Sequence, residues 1–136
     1  MALSAIEKEI IEDFNIFDDP MDKYEHIIDE GNELEPLEEK YKIDDNLVKG
    51  CQSKVWLIAS KKEDKIYFQA DSNTVITKGV VSLLVKVLSG NTSEFIVNNN
   101  LEFLSEIGLQ DMLSSQRANG LQSMINLMKK HAQDLG

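Results

Sequence analysis

Cys51 has the most distinctive chemistry in this 136-residue chain, because it is the only cysteine. It lies in a polar stretch, residues 49–54, that leads into a strongly apolar run. A thiolate is a nucleophile, and a loop can expose it to a second protein while a strand behind it holds the loop in place. Gly50 removes a side chain next to the sulfur, and Gln52, Ser53 and nearby backbone N–H groups could donate hydrogen bonds to a thiolate. These residues alone leave a second interpretation open, in which Cys51 is a small buried hydrophobe.

Two charged residues are candidates to act together with Cys51. Arg117 lies near the start of the last predicted helix, where the helix dipole disfavours a cation, so a tertiary contact is expected to hold it there. Arg117 could make this contact with a carboxylate of a partner protein, with the Cys51 thiolate, or with one of the chain's 24 acidic residues in a structural ion pair. Asp71 follows the second predicted strand, where it could cap the next helix or face a partner.

Other kinds of site have little support. A single cysteine excludes an internal disulfide and a multi-cysteine zinc or iron–sulfur site within one chain. His26 and His131 are far apart in sequence and lack ligand-like neighbours, so both are predicted to be surface residues. The acidic pairs at residues 38–39 and 44–45 are interpreted as solvated charge rather than a catalytic pair. We find no glycine-rich phosphate loop and no serine–histidine–aspartate arrangement.

The elements on either side of Cys51 are predicted from hydrophobic spacing. Two apolar runs, residues 55–59 and 66–70, flank a short polar loop and predict a β-hairpin, to which Leu47 and Val48 would add a third short strand. The i, i+4 spacing of apolar residues from Val75 to Leu88 predicts a buried helix that ends at Gly90.

The flanking regions are predicted to be helical. Ser4 caps a first helix, Pro20 begins a second that Gly31 ends, and residues 34–41 add one or two turns. Beyond Gly90, short helices are predicted at residues 93–98 and 101–107, followed by a long helix from Ser115. The sum is an α+β fold, a small antiparallel sheet of two to three strands packed against helices, in a single domain over residues 1–136.

The overall charge limits the choice of partners and compartment. The formal net charge is -10, which disfavours nucleic acid and membrane surfaces and favours a basic protein partner. No stretch reaches the roughly 20 apolar residues of a membrane-spanning helix. Residues 1–11 lack the basic start and apolar run of a secretory signal, so a cytoplasmic location is expected.

Three motifs, in the same order and at similar separations, resemble those of the SufE family. The first surrounds the family's sulfur-accepting cysteine, the second opens a long apolar helix, and the third opens the C-terminal helix. In this chain they read Gly50-Cys51-Gln52-Ser53-x-Val55-Trp56, Asp71-Ser72 with Lys78-Gly79, and Ser115-x-Arg117-x-Asn119-Gly120-Leu121.

The resemblance implies a role in iron–sulfur cluster assembly. A pyridoxal-phosphate cysteine desulfurase, SufS-like, would form a persulfide on its own cysteine, and Cys51 would accept the terminal sulfur and deliver it to a scaffold, a SufB-containing complex. Gly50, Gln52 and Ser53 would support the sulfur loop, and Arg117 and Asp71 would act in partner binding or electrostatics. The resemblance implies no cofactor in this chain, because the pyridoxal phosphate stays with the desulfurase, and it implies a SufE/IscU-like fold.

Two other functions stay open from the residues. A stand-alone thiol enzyme would need a resolving thiol or a paired histidine beside Cys51. A non-catalytic acidic adaptor would use Cys51 only for packing. Cluster scaffolding by a single chain is disfavoured, because IscU-like scaffolds bind their cluster through several cysteines. Because a persulfide is easily oxidised, a carrier is expected to shelter it, which predicts an inward and an outward state of the Cys51 loop.

Overall fold

A three-stranded antiparallel sheet lies at the centre of the computed structural model, which describes residues 4–51 and 53–136. Strands β1 (Val55–Lys62) and β2 (Lys65–Ser72) form the predicted hairpin and pair along their whole length. The third strand is β3 (Asn91–Thr92), which pairs with β2, so the order is β1-β2-β3. The third strand predicted at Leu47 and Val48 is therefore wrong, since Leu47 makes only an isolated bridge to Trp56.

The described part of the chain contains seven α-helices beside the sheet, and the α+β prediction is confirmed. Residues 34–41, predicted to be helical, form only a short 3-10 turn at Glu39–Tyr41, and a second such turn follows at Asp44–Asn46. No helix among the described residues is both long and apolar enough to cross a membrane. The helices are α1 (Ala5–Asn15), α2 (Pro20–Asn32), α3 (Val75–Leu88), α4 (Ser93–Asn98), α5 (Phe103–Glu106), α6 (Leu109–Met112) and α7 (Ser115–Leu135).

Capping residues that can be recognised in the sequence mark the starts of most of these helices. Ser4 forms a capping box with Glu7 at the start of α1, and Asp19 caps α2 with Pro20 in its first turn. Ser114 accepts a hydrogen bond from the Arg117 N–H and caps α7. The start of α3 differs, because its N-cap, Thr74, makes no side-chain capping bond.

Helix α3 is the central element of the core. It packs on α2, on β2 and on α7, and its buried apolar side chains include Val80, Leu84 and Leu88. Because apolar burial is the main favourable term in folding, these contacts fix the position of α3 and with it the cavity described below.

Helices α2 and α3 cross at two glycines. A Cβ atom on Gly31 would lie 2.6 Å from the Gly79 backbone nitrogen, and a Cβ atom on Gly79 would overlap the Ile27 carbonyl oxygen. Gly31 was predicted to end α2, but it lies within the last turn, and Asn32 is the last residue of the helix. Its role is close packing rather than helix termination.

His26 was predicted to be a surface residue, and this prediction is wrong. Its imidazole ring packs edge-on against Phe14, with ring centroids 4.7 Å apart, and lies 5.2 Å from the ring of Phe17. Only 21% of its side-chain surface is exposed. The aromatic contacts come from α1 and from the turn after it, which a pattern within α2 does not reveal.

Candidate functional site

Cys51 lies on a short loop that β1 and the end of β2 hold in place. The Val48 N–H donates to the Val55 carbonyl oxygen at 2.8 Å, which closes the loop around Cys51. At its C-terminal end, the Ser72 hydroxyl and the Asn73 N–H both donate to the Lys54 carbonyl oxygen, at 2.9 and 3.2 Å. The loop is therefore anchored at both ends, and Cys51 lies between the anchors.

Gly50 and Ser53 take part in this arrangement, each in its own way. Gly50 has φ +89°, a conformation that favours glycine, and a Cβ atom there would lie 2.7 Å from the Ser123 hydroxyl of α7. The glycine is thus explained by its backbone conformation and by the closeness of α7. Ser53 accepts a hydrogen bond from the Thr74 hydroxyl at 2.9 Å. Gln52 lies outside the described residues.

The Cys51 thiol faces inward onto α7. Its Sγ donates a weak hydrogen bond to the Gly120 carbonyl oxygen at 3.5 Å. A Cβ atom on Gly120 would lie 3.3 Å from that sulfur, so the glycine makes room for the thiol. Glycine within a helix costs about 1 kcal/mol relative to alanine, and Gly120 inside α7 is the one local signal of this contact in the sequence.

A small, mostly apolar cavity adjoins the thiol. Its space is about 10 Å³, close to the minimum that holds one water molecule. The walls come from the Cys51 loop, α3, the residue after α6, and α7, and among the described residues they include no histidine: Cys51, Ser53, Ile76, Thr77, Val80, Leu113, Arg117, Gly120 and Met124. No local pattern in the sequence indicates the apolar walls, because each element contributes only one to three of their residues.

Arg117 lines the same cavity as Cys51. Its Nε atom is buried and has no hydrogen-bond partner among the described residues. None of the ion pairs found in that part of the chain includes Arg117. The structural ion pair considered from the sequence is therefore not observed among the described residues, and Arg117 remains a cation in the wall of the cavity that Cys51 also lines.

Burial raises the pKa of the Cys51 thiol above its ordinary value. The positive potential considered from the sequence would lower that pKa, but burial is the cause that acts on it in this conformation. Cys51 is here a sheltered neutral thiol rather than an activated nucleophile.

We expect alkylation of native Cys51 by iodoacetamide to reach half its maximal rate at a higher pH than alkylation of the unfolded chain, whose midpoint should be near pH 8.5. The thiolate reacts, and burial disfavours it in the native state alone. The alkylation rate is measured against pH both in buffer and in urea, and the two midpoints are compared. Because the chain has a single cysteine, the signal is specific to Cys51. A native midpoint at or below the unfolded one would contradict the sheltered thiol.

Asp71 does not cap α3, which was one of the two roles considered for it; the N-cap is Thr74. It is the penultimate residue of β2, and only 4% of its surface is exposed. Its carboxylate accepts hydrogen bonds from the Ser72 N–H at 2.8 Å and the Leu37 N–H at 3.3 Å. The ammonium groups of Lys42 and Lys78 lie 3.4 and 3.5 Å from it. Asp71 therefore ties the segment before the Cys51 loop to the sheet and to α3, and it offers little surface to a partner.

The Asp71→Asn variant is expected to lose about 1–3 kcal/mol of stability at neutral pH, because it removes a buried charge that four groups stabilise. Burial alone would raise the pKa of Asp71, but the N–H groups of Ser72 and Leu37 and the two lysines together lower it. The stabilisation is thus complete above the unfolded pKa of about 3.9 and is lost as the pH falls through the lower folded pKa.

Urea unfolding of both proteins between pH 7 and pH 2.5 measures this difference. It should stay constant down to about pH 4 and shrink below that. A difference that grows as the solution becomes more acidic would be incompatible with a stabilised Asp71 carboxylate.

Comparisons with known proteins were made by family, by sequence and by structure. A family model described as "SufE: Fe-S metabolism associated domain" matches residues 8–132. The solution structure of a hypothetical protein from Thermus thermophilus matches with a TM-score of 0.80 over 98% of both chains. At 15% sequence identity, that likeness establishes the shared fold alone.

Several curated relatives are similar along most of the chain. A "SufE-like protein 1, chloroplastic/mitochondrial" of Arabidopsis thaliana is 40% identical over 126 residues, but this chain spans only 34% of its length. An uncharacterised SufE-like protein of Synechocystis is 37% identical, with 90% of this chain and 77% of that protein covered. The "Cysteine desulfuration protein SufE" of Wigglesworthia glossinidia brevipalpis is 31% identical, with 92% and 88% covered.

Proposed function

Because the chain belongs to the SufE family, we propose that it accepts sulfur from a cysteine desulfurase onto Cys51 and carries it toward iron–sulfur cluster assembly. A relative that is 31% identical carries the name cysteine desulfuration protein. The observation that carries the proposal is the position of the only cysteine, which adjoins a small, mostly apolar cavity about one water molecule in size.

The transfer step is a thiol exchange. The Cys51 thiolate attacks the terminal sulfur of a persulfide on the desulfurase, a bond forms between that sulfur and Cys51 Sγ, and the sulfur–sulfur bond in the desulfurase breaks. The desulfurase cysteine leaves as a thiolate and takes up the proton that Cys51 gave up. No oxidant or reductant is consumed. The pyridoxal phosphate that generates the first persulfide belongs to the desulfurase, and the proposal assigns no cofactor to this chain.

The cavity beside Cys51 can hold the added sulfur atom. Apolar side chains of Ile76, Val80 and Met124 line it and limit access by water and oxidants. A persulfide anion is also negatively charged, and the Arg117 guanidinium on the same wall supplies the opposite charge. The resting thiol would then be neutral and buried, and the loaded sulfur would be charge-compensated.

Sulfur exchange also requires Cys51 to leave this position. Within the described residues, the only hydrogen bond of its sulfur is the weak one to the Gly120 carbonyl oxygen, whereas the stronger bonds lie at the loop ends. An outward movement of the Cys51 side chain therefore breaks only this weak hydrogen bond, while the bonds at the loop ends stay intact. Release from the apolar cavity would also lower the thiol pKa toward its ordinary value, so exposure and activation would coincide.

Desulfurase turnover tests the proposal. Alanine formation from cysteine is measured for a SufS-like desulfurase alone, with this protein, with its Cys51→Ser variant and with a Val75→Ala control, which alters an exposed side chain of α3. We expect the native protein and Val75→Ala to accelerate turnover and Cys51→Ser to have no effect. Equal acceleration by Cys51→Ser would favour the adaptor function, and turnover of a thiol substrate without a desulfurase would favour the enzyme. Delivery to a SufB-containing scaffold is the proposed next step.

A further inference from the structure

A second group of chemically competent side chains lies on helices α1 and α2. Asp13 is in the last turn of α1, and His26 and Glu30 lie one turn apart on α2. One ligand atom from each of the three residues lies within 4.8 Å of the others. None of them lines the cavity beside Cys51.

The imidazole of His26 is held so that one nitrogen has no partner. The Nε2 atom is shielded from solvent and forms no hydrogen bond within the described residues. It faces Oε1 of Glu30 at 3.6 Å, which is too long for a hydrogen bond. The packed rings of Phe14 and Phe17 fix the orientation of the imidazole. A buried polar nitrogen without a partner is costly, so the arrangement is one that a ligand would complete.

The separation of these atoms suits a shared metal ion. Zinc binds histidine nitrogen and carboxylate oxygen at about 2.0–2.2 Å, so two ligand atoms of a tetrahedral site are roughly 3.4 Å apart. The observed distance between Nε2 of His26 and Oε1 of Glu30 is 3.6 Å. Asp13 is exposed, so its carboxylate can adjust to complete the set. We propose that Asp13, His26 and Glu30 bind a divalent transition metal ion, with Zn²⁺ as the best match.

Lys86 limits the strength of this site. Its ammonium lies 3.6 Å from Oε2, the other carboxylate oxygen of Glu30, and 43% of its side-chain surface is exposed. A cation at this distance opposes a second cation on the same carboxylate. Removing the lysine charge should therefore strengthen metal binding, whereas removing any of the three ligands should weaken it.

A bound ion would join two consecutive helices at a second point, beside the packing of the His26 ring against Phe14. Helix α1 packs on α5 and α3, and α2 packs on α3. A metal held by Asp13, His26 and Glu30 joins α1 directly to α2. Since a ligand that binds only the folded state stabilises it, the ion should raise the melting temperature.

Zinc titration tests this site. Isothermal titration calorimetry with ZnCl₂ is carried out on the Cys51→Ser protein, which removes the thiol as a competing ligand. In that background, Asp13→Asn and His26→Gln are compared with His131→Gln, which alters the only other histidine, and with Lys86→Gln. Asp13 is exposed, so its variant keeps the test valid if His26→Gln folds poorly.

We expect one zinc ion per chain and a rise in melting temperature. Affinity should fall at least about tenfold in Asp13→Asn and His26→Gln, stay unchanged in His131→Gln, and increase in Lys86→Gln. Absence of stoichiometric binding, or binding that His26→Gln and Asp13→Asn leave unchanged, overturns the proposal. In that case the contact between His26 and Glu30 is only structural.

Discussion

Gly79→Ala is expected to lower the free energy of unfolding by about 3 kcal/mol. The added methyl group would overlap the Ile27 carbonyl oxygen and lie 2.7 Å from Ile27 Cγ2. One of the overlapping atoms belongs to the backbone of α2, so the clash cannot be relieved by a side-chain rotation and the two helices must separate. In an exposed helix the same change would stabilise the protein by about 1 kcal/mol, so the sign of the effect is itself diagnostic.

Urea unfolding of Gly79→Ala and of a Val75→Ala control measures this effect. Val75 lies on the same helix with 59% of its surface exposed, and its truncation should change stability by no more than about 0.5 kcal/mol. If Gly79→Ala is as stable as the native protein, then α2 and α3 do not cross as closely as described.

Gly120→Val is expected to displace Cys51 from its sheltered position and increase its alkylation rate at neutral pH at least about tenfold. A Cβ atom at this position lies 3.3 Å from the sulfur and 3.5 Å from the Cys51 Cα atom, and the two further methyl groups of valine have no room beside the thiol. Loss of burial should also bring the pKa of the thiol down toward its ordinary value, which raises the reactive fraction.

The iodoacetamide rate is measured for Gly120→Val, for Gly120→Ala as an intermediate step, and for Gln116→Val. Gln116 is exposed one turn earlier on α7, so this control adds valine to the same helix without touching Cys51. The expected order of rates is valine above alanine above native at position 120, with the control equal to the native protein. An unchanged rate in Gly120→Val would mean that α7 does not shelter the thiol.

Local sequence signals were sufficient for much of the fold. The hairpin follows from two apolar runs around a polar loop, and the starts of α1 and α2 follow from Ser4 and Pro20, because caps and turns depend on neighbouring residues. The third strand was placed on the wrong side of the hairpin. The pairing of β3 with β2 depends on how α3 packs, because that packing brings the chain after α3 back to the edge of β2. Such packing is a tertiary property that local patterns do not encode.

The site was predictable only in part, for the same reason. Cys51 and Arg117 were identified from their types and motifs, and both line the cavity. The sequence left Asp71 between a helix cap and a partner-facing residue, because its main partners, Leu37, Lys42 and Lys78, are set by the fold. The raised pKa of Cys51 arises from burial by α3 and α7, which no local pattern around the cysteine indicates.

The metal-binding proposal and the sulfur-carrier proposal can be tested separately. Zinc binding is measured on a chain without its thiol, so loss of sulfur transfer leaves that result unaffected. Conversely, Asp13→Asn should still accept sulfur, because Asp13 lies outside the cavity that contains Cys51.

The central claim, that Cys51 carries sulfur in a sheltered position, is tested most directly by intact-protein mass spectrometry. The protein is incubated with a SufS-like desulfurase and cysteine, separated from both, and held in air-saturated buffer before it is weighed and digested. We predict the added mass of one sulfur atom, located on Cys51, removed by a reductant, and lost more slowly from the native protein than from Gly120→Val. A mass that stays unchanged, or sulfur found on a residue other than Cys51, would contradict the account.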